Sequence, residues 1–506
     1  MNLASLTDFN LETYGEYEAT IYDGRTYTNR ELFEAGRRLA NALTGLGVGP
    51  GERVAVMLPN CPEVGISYGG ILRMGGVVVP LLFLLATEEL QHILTDSEAK
   101  AIITSPEFVA KALDAANACD PAPKVIVAGG AAEGTLSFEG LLAKASPDAP
   151  LADRDGDDPA LFMYTSGTTG KPKGVVLTHA NMLHQAEAVH EISELDRTAM
   201  SLAVMPLAHA GGLVGWVAGT KNGARGVLMR WFDPELFCRN VQEYGVVATS
   251  LVPTMAALLL NHPAIENYDL STLEQVAFGA SPAPVELIKN FERKTGASVR
   301  MVYGLTEAAP IVTADRISSP RKDGSSGFAL PGVEIAIMDP EDVELKAGEL
   351  GEICVRGPNV MAGYHGMPEE TARAIRAGWL HTGDVGYLDE DGYLFIVDRV
   401  KDLIIRGGLN VYPHDVEEVL VAHPGVAEAA VIGVPDPTYG EEVEAFVVRR
   451  IGTDATEDDL MRHCREHLAK YKSPRRITFV PDLPRNQVGK ILKRVLREQA
   501  ASGSKA

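Results

Sequence analysis

Tyr164-Thr165-Ser166-Gly167-Thr168-Thr169-Gly170-Lys171-Pro172-Lys173-Gly174-Val175 lies between two β-prone runs, Leu161–Tyr164 and Val175–Leu177, and so predicts a strand–loop–strand turn. From Thr165 to Gly174 it carries four hydroxyls, three glycines and two lysines. Glycines let backbone N–H groups approach an anion, hydroxyls add donors and lysines supply charge, a composition suited to cradling phosphate. The spacing is not that of a Walker loop: two residues separate Gly167 from Gly170, and Pro172 follows Lys171 in place of Ser or Thr. A surface hairpin built of turn chemistry alone accounts for the glycines but not for the density of donors.

Outward from this loop, short apolar runs alternate with helical patterns. Strands are predicted at Arg53–Met57, Ala101–Thr104, Lys124–Val127 and Val246–Val252, and helices at Thr28–Leu46, His179–His190, Pro234–Tyr244 and Pro284–Thr295. Such alternation predicts an α/β fold. The rhythm changes near the end, where a helix (Tyr412–Ala422), two strands (Val426–Pro435, Val443–Arg450) and a further helix (Thr456–Leu468) form a fresh α+β unit. The predicted division is a large domain over 1–401 and a small one over 402–506.

With 506 residues the chain exceeds one compact core. Its most apolar stretch, Met74–Ala86, lacks charges for thirteen residues, too short for a bilayer span and suited to a buried strand or helix. The opening residues show no basic-then-apolar leader pattern, and the five cysteines are scattered without a CxxC pair. Both predict a cytoplasmic protein with reduced thiols and no structural zinc site. A net charge of −22 repels nucleic-acid backbones, so nucleic acid is not an expected partner. An anionic nucleotide would need local cations or Mg2+ to overcome that field. No Gly-x-Gly-x-x-Gly follows a strand, which argues against a nicotinamide oxidoreductase.

Further blocks stand in order along the chain: LGVGPGERVAVMLPN (46–60), VMPLAHAGGL (204–213), YGLTE (303–307), GELGEICVRGPNVMAGY (348–364), a long stretch opening GWLHTGDVGYLDEDGYLFIVDRVKD (378–402), and LPRNQVGKILKRVLR (483–497). Together with TSGTTGKPKGV (165–175) they resemble the adenylate-forming superfamily of acyl-CoA synthetases, peptide-synthetase adenylation domains and firefly luciferase. The resemblance spans nearly the whole chain. It implies activation of a carboxylic acid by ATP with Mg2+ to give an acyl-adenylate and pyrophosphate, then transfer of the acyl group to coenzyme A.

The resemblance also implies roles. Residues 165–171 and Lys173 would hold the triphosphate. Tyr303, followed by Gly304, would stack on adenine, Thr306 would touch the α-phosphate, and Glu307 would hold the metal, an oxygen ligand suiting a hard cation. Gly279, Ala280 and Ser281 would border adenine and the acyl group. Asp384 would accept the ribose hydroxyls, with Arg399 beside it and Ile396 against the base. Asp389 and Asp391 read instead as hairpin-turn residues. Asp402 would be the hinge about which the small domain rotates between the two half-reactions. Gly407 and Gly408 would then line a pantetheine channel, though two glycines also suit an ordinary turn. Lys490 would bridge the acyl oxygen and the phosphate during adenylation, and His209 would lie beside the acyl carboxylate. Ala208 departs from the bulky aromatic usual before that histidine, which leaves the local pocket shape open.

Acetate-specific relatives carry tryptophan where Gly304 stands, so the glycine predicts a cavity for a medium-to-long acyl chain or an aryl acid, read through burial at roughly 0.8 kcal/mol per CH₂. No aspartate in 206–213 is placed to hold a substrate ammonium. Arg225 and Arg230 remain candidates for a second carboxylate. Lys470, Lys472, Arg475 and Arg476 around Tyr471 could meet coenzyme A phosphates or form a solvated face. The alternative is a stand-alone enzyme loading a carrier protein, although two domains leave no room for a carrier domain in the chain. A non-catalytic homologue would be expected to lack Lys490, Glu307 or the loop lysines Lys171 and Lys173, and all are present. A homodimer is the base-rate expectation for such an enzyme.

Overall fold

A computed structural model of the chain describes residues 1–166, 171–193, 195–316, 318–450, 452–485 and 491–503. These divide into two compact units, Met1–Ile335 with Val355–Leu380, and Ala336–Cys354 with His381–Ala506. The predicted α/β class is what is found.

Among the described residues, the larger unit contains two long sheets. In the eight-stranded sheet, Arg53–Met57 pairs in parallel with both Val77–Pro80 and Ala101–Thr104. Strands buried on both faces need apolar residues at every position, which is why Val54, Ala55, Val78, Val79, Ile102 and Ile103 run without alternation. The uncharged run after Arg73 becomes the buried strand Val77–Pro80. At the other end of this sheet Pro159–Ser166 and Pro172–Thr178 form an antiparallel hairpin, with Thr165 opposite Lys173 and Ser166 opposite Pro172. Thr178 then caps the helix His179–Ile192 by accepting from the Asn181 N–H.

The nine-stranded sheet sets Val246–Leu251, Gln275–Phe278 and Ser298–Gly304 side by side in parallel, Phe278 level with Met301. The segments 278–284 and 303–307 therefore leave neighbouring strands at the same carboxyl edge, where open α/β sheets place their ligands. Phe237, Phe278 and Phe291 are fully buried in the core against this sheet, and the last two rings meet edge to face at 5.3 Å.

The Asp389–Gly392 turn of the smaller unit connects the strand Trp379–Leu388, which begins in the larger unit, to Leu394–Arg399. The Asp389 carboxylate accepts from the Asp391 and Tyr393 N–H groups, as predicted for turn residues. A second sheet runs Leu409–Val411, Ile404–Arg406, Gly440–Arg449, Val426–Asp436, with Arg476–Phe479 parallel to Gly440–Arg449. Helices Pro413–Ala422 and Glu457–His467 cover it over a core that includes Val416, Leu420, Val431, Val443 and Leu460. Among the described residues no helix is long and apolar enough to cross a membrane.

Candidate active site

The hairpin brings Lys173 into the larger unit's interior, 8% exposed, where its Nζ donates to Glu370 Oε2 at 2.5 Å. The Lys173 ammonium holds the Glu370 carboxyl below its ordinary range. The same ammonium stands 5.4 Å from the centre of the Tyr364 ring. Lys171 is exposed and Thr165 half-buried, while Gly167, Thr168, Thr169 and Gly170 lie outside the described residues.

Tyr303 is buried at the end of its strand, and Thr306–Ala308 forms a single 3₁₀ turn beyond it. Here Tyr364 donates its hydroxyl to Glu307 Oε1 at 3.0 Å. Burial, and Glu307 beside it, push the phenol far above its usual range, so it stays a donor. The loop carrying Tyr364 is fastened from both sides. Met361 N–H donates to the Glu307 carbonyl and Asn359 Nδ2 to the Ala308 carbonyl, while Asn181 Nδ2 donates to Pro358 and Val360. Glu307 is thus fixed by side chain and backbone, and it connects through Tyr364 to Lys173 and Glu370. Sequence reading assigned no role to Tyr364, Asn359 or Glu370. The first two stand inside a quoted block, but Glu370 has no local signal: its partner is 197 residues away.

Gly304 carries a different message from the one read in the sequence. A Cβ built there would sit 2.0 Å from the Pro310 carbonyl oxygen, because the antiparallel partner strand crosses at a register shift. Backbone crowding demands this glycine, so it does not itself mark an acyl cavity. Beside it, Gly279 approaches the Val302 carbonyl, a Cβ there meeting the oxygen at 3.1 Å. Ala280 holds φ +67°, a left-handed conformation costing about 1–2 kcal/mol for a non-glycine residue. Such strain is characteristic of ligand-contacting turns. Ser281 follows, half-buried.

His209 caps the helix Ala210–Asn222, its Nδ1 accepting from the Gly211 N–H at 3.2 Å. Burial holds the imidazole below its ordinary pKa. The ring is accordingly neutral, with its proton on Nε2. Arg225 and Arg230 already face Glu18 and Glu107, so neither is set out for a second substrate carboxylate.

In the smaller unit Asp384 is 5% exposed, and Arg399 Nε lies 2.9 Å from its Oδ1, the two residues being direct cross-strand partners. Ile396 pairs across from Gly386 on the same two strands. Asp402 is buried and ion-paired to Arg497 at 2.7 Å. Gly407 and Gly408, at φ +59° and +82°, are the two central residues of the tight turn joining Ile404–Arg406 to Leu409–Val411. Both left-handed angles are what a type I′ hairpin requires. Lys490 lies outside the described residues; on either side of it Arg485 and Ile491 pair as an antiparallel bridge. Lys472, Arg475 and Arg476 face Asp415, Asp436 and Glu444, which favours the solvated-face reading of that basic cluster.

The sequence profile of the AMP-binding enzyme family matches residues 8–365, and that of the AMP-binding enzyme C-terminal domain matches 415–490. The chain is 36% identical to a long-chain-fatty-acid–CoA ligase of Bacillus subtilis over 98% of its length and 94% of the relative's. It is 38% identical to a feruloyl-CoA synthase of an Amycolatopsis species, over 95% of each. The crystal structure of ATP-bound MatB from Rhodopseudomonas palustris superposes with a TM-score of 0.92 at 34% identity, covering 99% of each chain. Blocks, fold and relatives agree: the chain belongs to the AMP-binding enzyme family, in its acyl-CoA synthetase branch.

Proposed function

We propose that this enzyme joins ATP to a medium- or long-chain fatty acid or an aryl acid, forming the acyl-adenylate with release of pyrophosphate, and passes the acyl group to coenzyme A. The observation that carries the residue roles is the line Glu370–Lys173–Tyr364–Glu307, which sets a cation and an oriented carboxylate beside the donor-rich hairpin. In the first half-reaction a substrate carboxylate oxygen attacks the α-phosphorus and the bond to pyrophosphate breaks. Tyr303, Gly304 and residues 279–281 frame the nucleotide, Thr306 and residues 165–171 with Lys173 hold its phosphates, and Asp384 with Arg399 and Ile396 holds the nucleoside. Neutral His209 offers its Nε2–H to the acyl carboxylate. Lys490 steadies charge on the acyl and phosphate oxygens as the new bond forms. Glu307 fits Mg2+: one oxygen is fixed by Tyr364, and the hard carboxylate would share the ion with the phosphates, which it would charge-neutralise.

In the second half-reaction the coenzyme A thiol attacks the acyl carbonyl, its proton passing to solvent, and AMP leaves. Residues from 402 onward would turn about Asp402 to bring Gly407 and Gly408 into the place of the Lys490 loop. The free cysteines fit a reducing, cytoplasmic setting, and a homodimer is the accompanying assembly. Pyrophosphate release over a panel from acetate through octanoate and palmitate to benzoate, with and without coenzyme A, tests this reading. Turnover should require coenzyme A, peak beyond acetate, and fall about two to three orders of magnitude in Lys490→Ala. Release indifferent to coenzyme A would overturn the second half-reaction.

A further inference from the structure

Behind the candidate ribose carboxylate, three side chains with no part in the proposed chemistry converge in the smaller unit. Cys354 Sγ lies 3.3 Å from His381 Nδ1, and Glu352 Oε2 lies 2.9 Å from the same nitrogen. One ligating atom from each falls within 4.8 Å of the others. Cys354 is fully buried, the His381 side chain is 4% exposed and that of Glu352 22%, so sulfur and nitrogen are enclosed and the carboxylate closes the cluster toward solvent. The far ring nitrogen, His381 Nε2, points to Asp342 Oδ1 at 3.9 Å. At that distance the two are not hydrogen-bonded, and an approach of roughly 1 Å would give the imidazole the carboxylate support usual for a metal ligand.

We infer that Glu352, Cys354 and His381 form a binding site for a borderline-soft divalent cation of the Zn2+ type. A tetrahedron with bonds of about 2.3 Å to sulfur and 2.05 Å to nitrogen spaces those atoms roughly 3.5 Å apart. The observed 3.3 Å needs only a small expansion to reach that span. Sulfur and imidazole select zinc-like ions over the Mg2+ of the nucleotide, and three protein ligands leave a fourth position for water. Binding exchanges the metal for the Cys354 thiol proton and any proton on His381 Nδ1, both released to solvent.

The cluster is wired to the nucleotide side. Glu352 Oε1 accepts from the Gly383 N–H at 3.0 Å, and Thr382 Oγ1 donates to the Ile353 carbonyl while accepting from the Asp384 N–H. A metal that draws in Glu352 and His381 therefore pulls on both sides of residues 382–384. The expected consequence is a raised KM for ATP; this coupling rests on the ribose role of Asp384, whereas the metal site does not.

Metal-stripped full-length enzyme titrated with Co2+ tests the site, because a cobalt–thiolate bond gives a near-ultraviolet charge-transfer band. The band should saturate at one equivalent, be erased by one equivalent of Zn2+, and be missing in Cys354→Ser, which retains the other four cysteines. His381→Gln and Glu352→Gln, checked for folding by circular dichroism, should each weaken Co2+ binding at least tenfold, and they carry the test should Cys354→Ser not fold. No band in the wild type, or a band that survives in Cys354→Ser, overturns the site. A band with an unchanged KM for ATP at one equivalent of Zn2+ overturns the coupling, and ATP binding by Asp384→Asn tells whether the ribose role failed instead.

Discussion

At Glu307, the proposed metal ligand, a single hydroxyl fixes one carboxylate oxygen. The Tyr364 phenol donates to Oε1, which leaves Oε2 for the proposed Mg2+. Hydrogen bonds to charged groups contribute about 1.5–3 kcal/mol, so Tyr364→Phe should lower kcat/KM for MgATP roughly ten- to a hundredfold with the fold intact. Pyrophosphate release against Mg2+ concentration checks this; an unchanged profile would remove Tyr364 from the site. The same residue shows where sequence reading stops. YGLTE marks Glu307, but an aromatic closing GPNVMAGY gives no sign that its hydroxyl reaches a carboxylate 57 residues earlier. Gly304 makes the complementary point. Glycine answers both to open space and to an approaching backbone, and only coordinates separate the two.

Elements were more legible than pairings, because their signals are local. The helix Pro234–Tyr244 falls where predicted: Asp233 caps its start by accepting from the Leu236 N–H, and left-handed Gly245 ends it. Thr28 and Glu31 close a capping box on the helix Asn29–Gly45 in the same way. Strands adjoining the hairpin run longer than their apolar cores, since cross-strand bonding carries Thr165 and Ser166 into the ladder. The helix His179–Ile192 adds a property no pattern shows. His179 is fully buried, its Nδ1 accepts from the Leu3 N–H at 3.0 Å, and burial followed by the nearby Arg154 charge lowers its pKa to about 4. The unfolded chain takes up that proton near pH 6.5, whereas the folded one refuses it until about pH 4. Stability is therefore complete above pH 6.5, declines as pH falls, and has lost its full share below pH 4. The loss at pH 5 should be roughly 2 kcal/mol. Urea unfolding at pH 7 and pH 5 should show that difference shrinking in His179→Gln, and an equal difference in both proteins would rule His179 out as its source.

For the molecule as a whole, the ion pair between Asp402 and Arg497 ties the proposed pivot to the C-terminal helix Lys493–Gly503. The Arg497 side chain is 35% exposed, and a pair this open to water contributes about 1 kcal/mol or less, up to about a fivefold shift in a conformational balance. Arg497→Ala should change the ratio of the two half-reaction rates by up to that factor and remove its dependence on ionic strength. Pyrophosphate release and thioester formation measured separately would show it, and parallel changes in both would argue against a pivot. The Lys173–Glu370 contact reaches furthest of all: on the proposed phosphate-holding role of Lys173, nucleotide entry would be an act of ion exchange. An anion that engages Lys173 competes for its ammonium with a counter-ion the protein itself supplies. A triphosphate, with many charged oxygens, is equipped to do so, whereas a monophosphate contests the lysine weakly. If Lys173 holds the triphosphate as proposed, the Glu370 carboxylate would act as a threshold that a triphosphate crosses readily and that a monophosphate product does little to hold open.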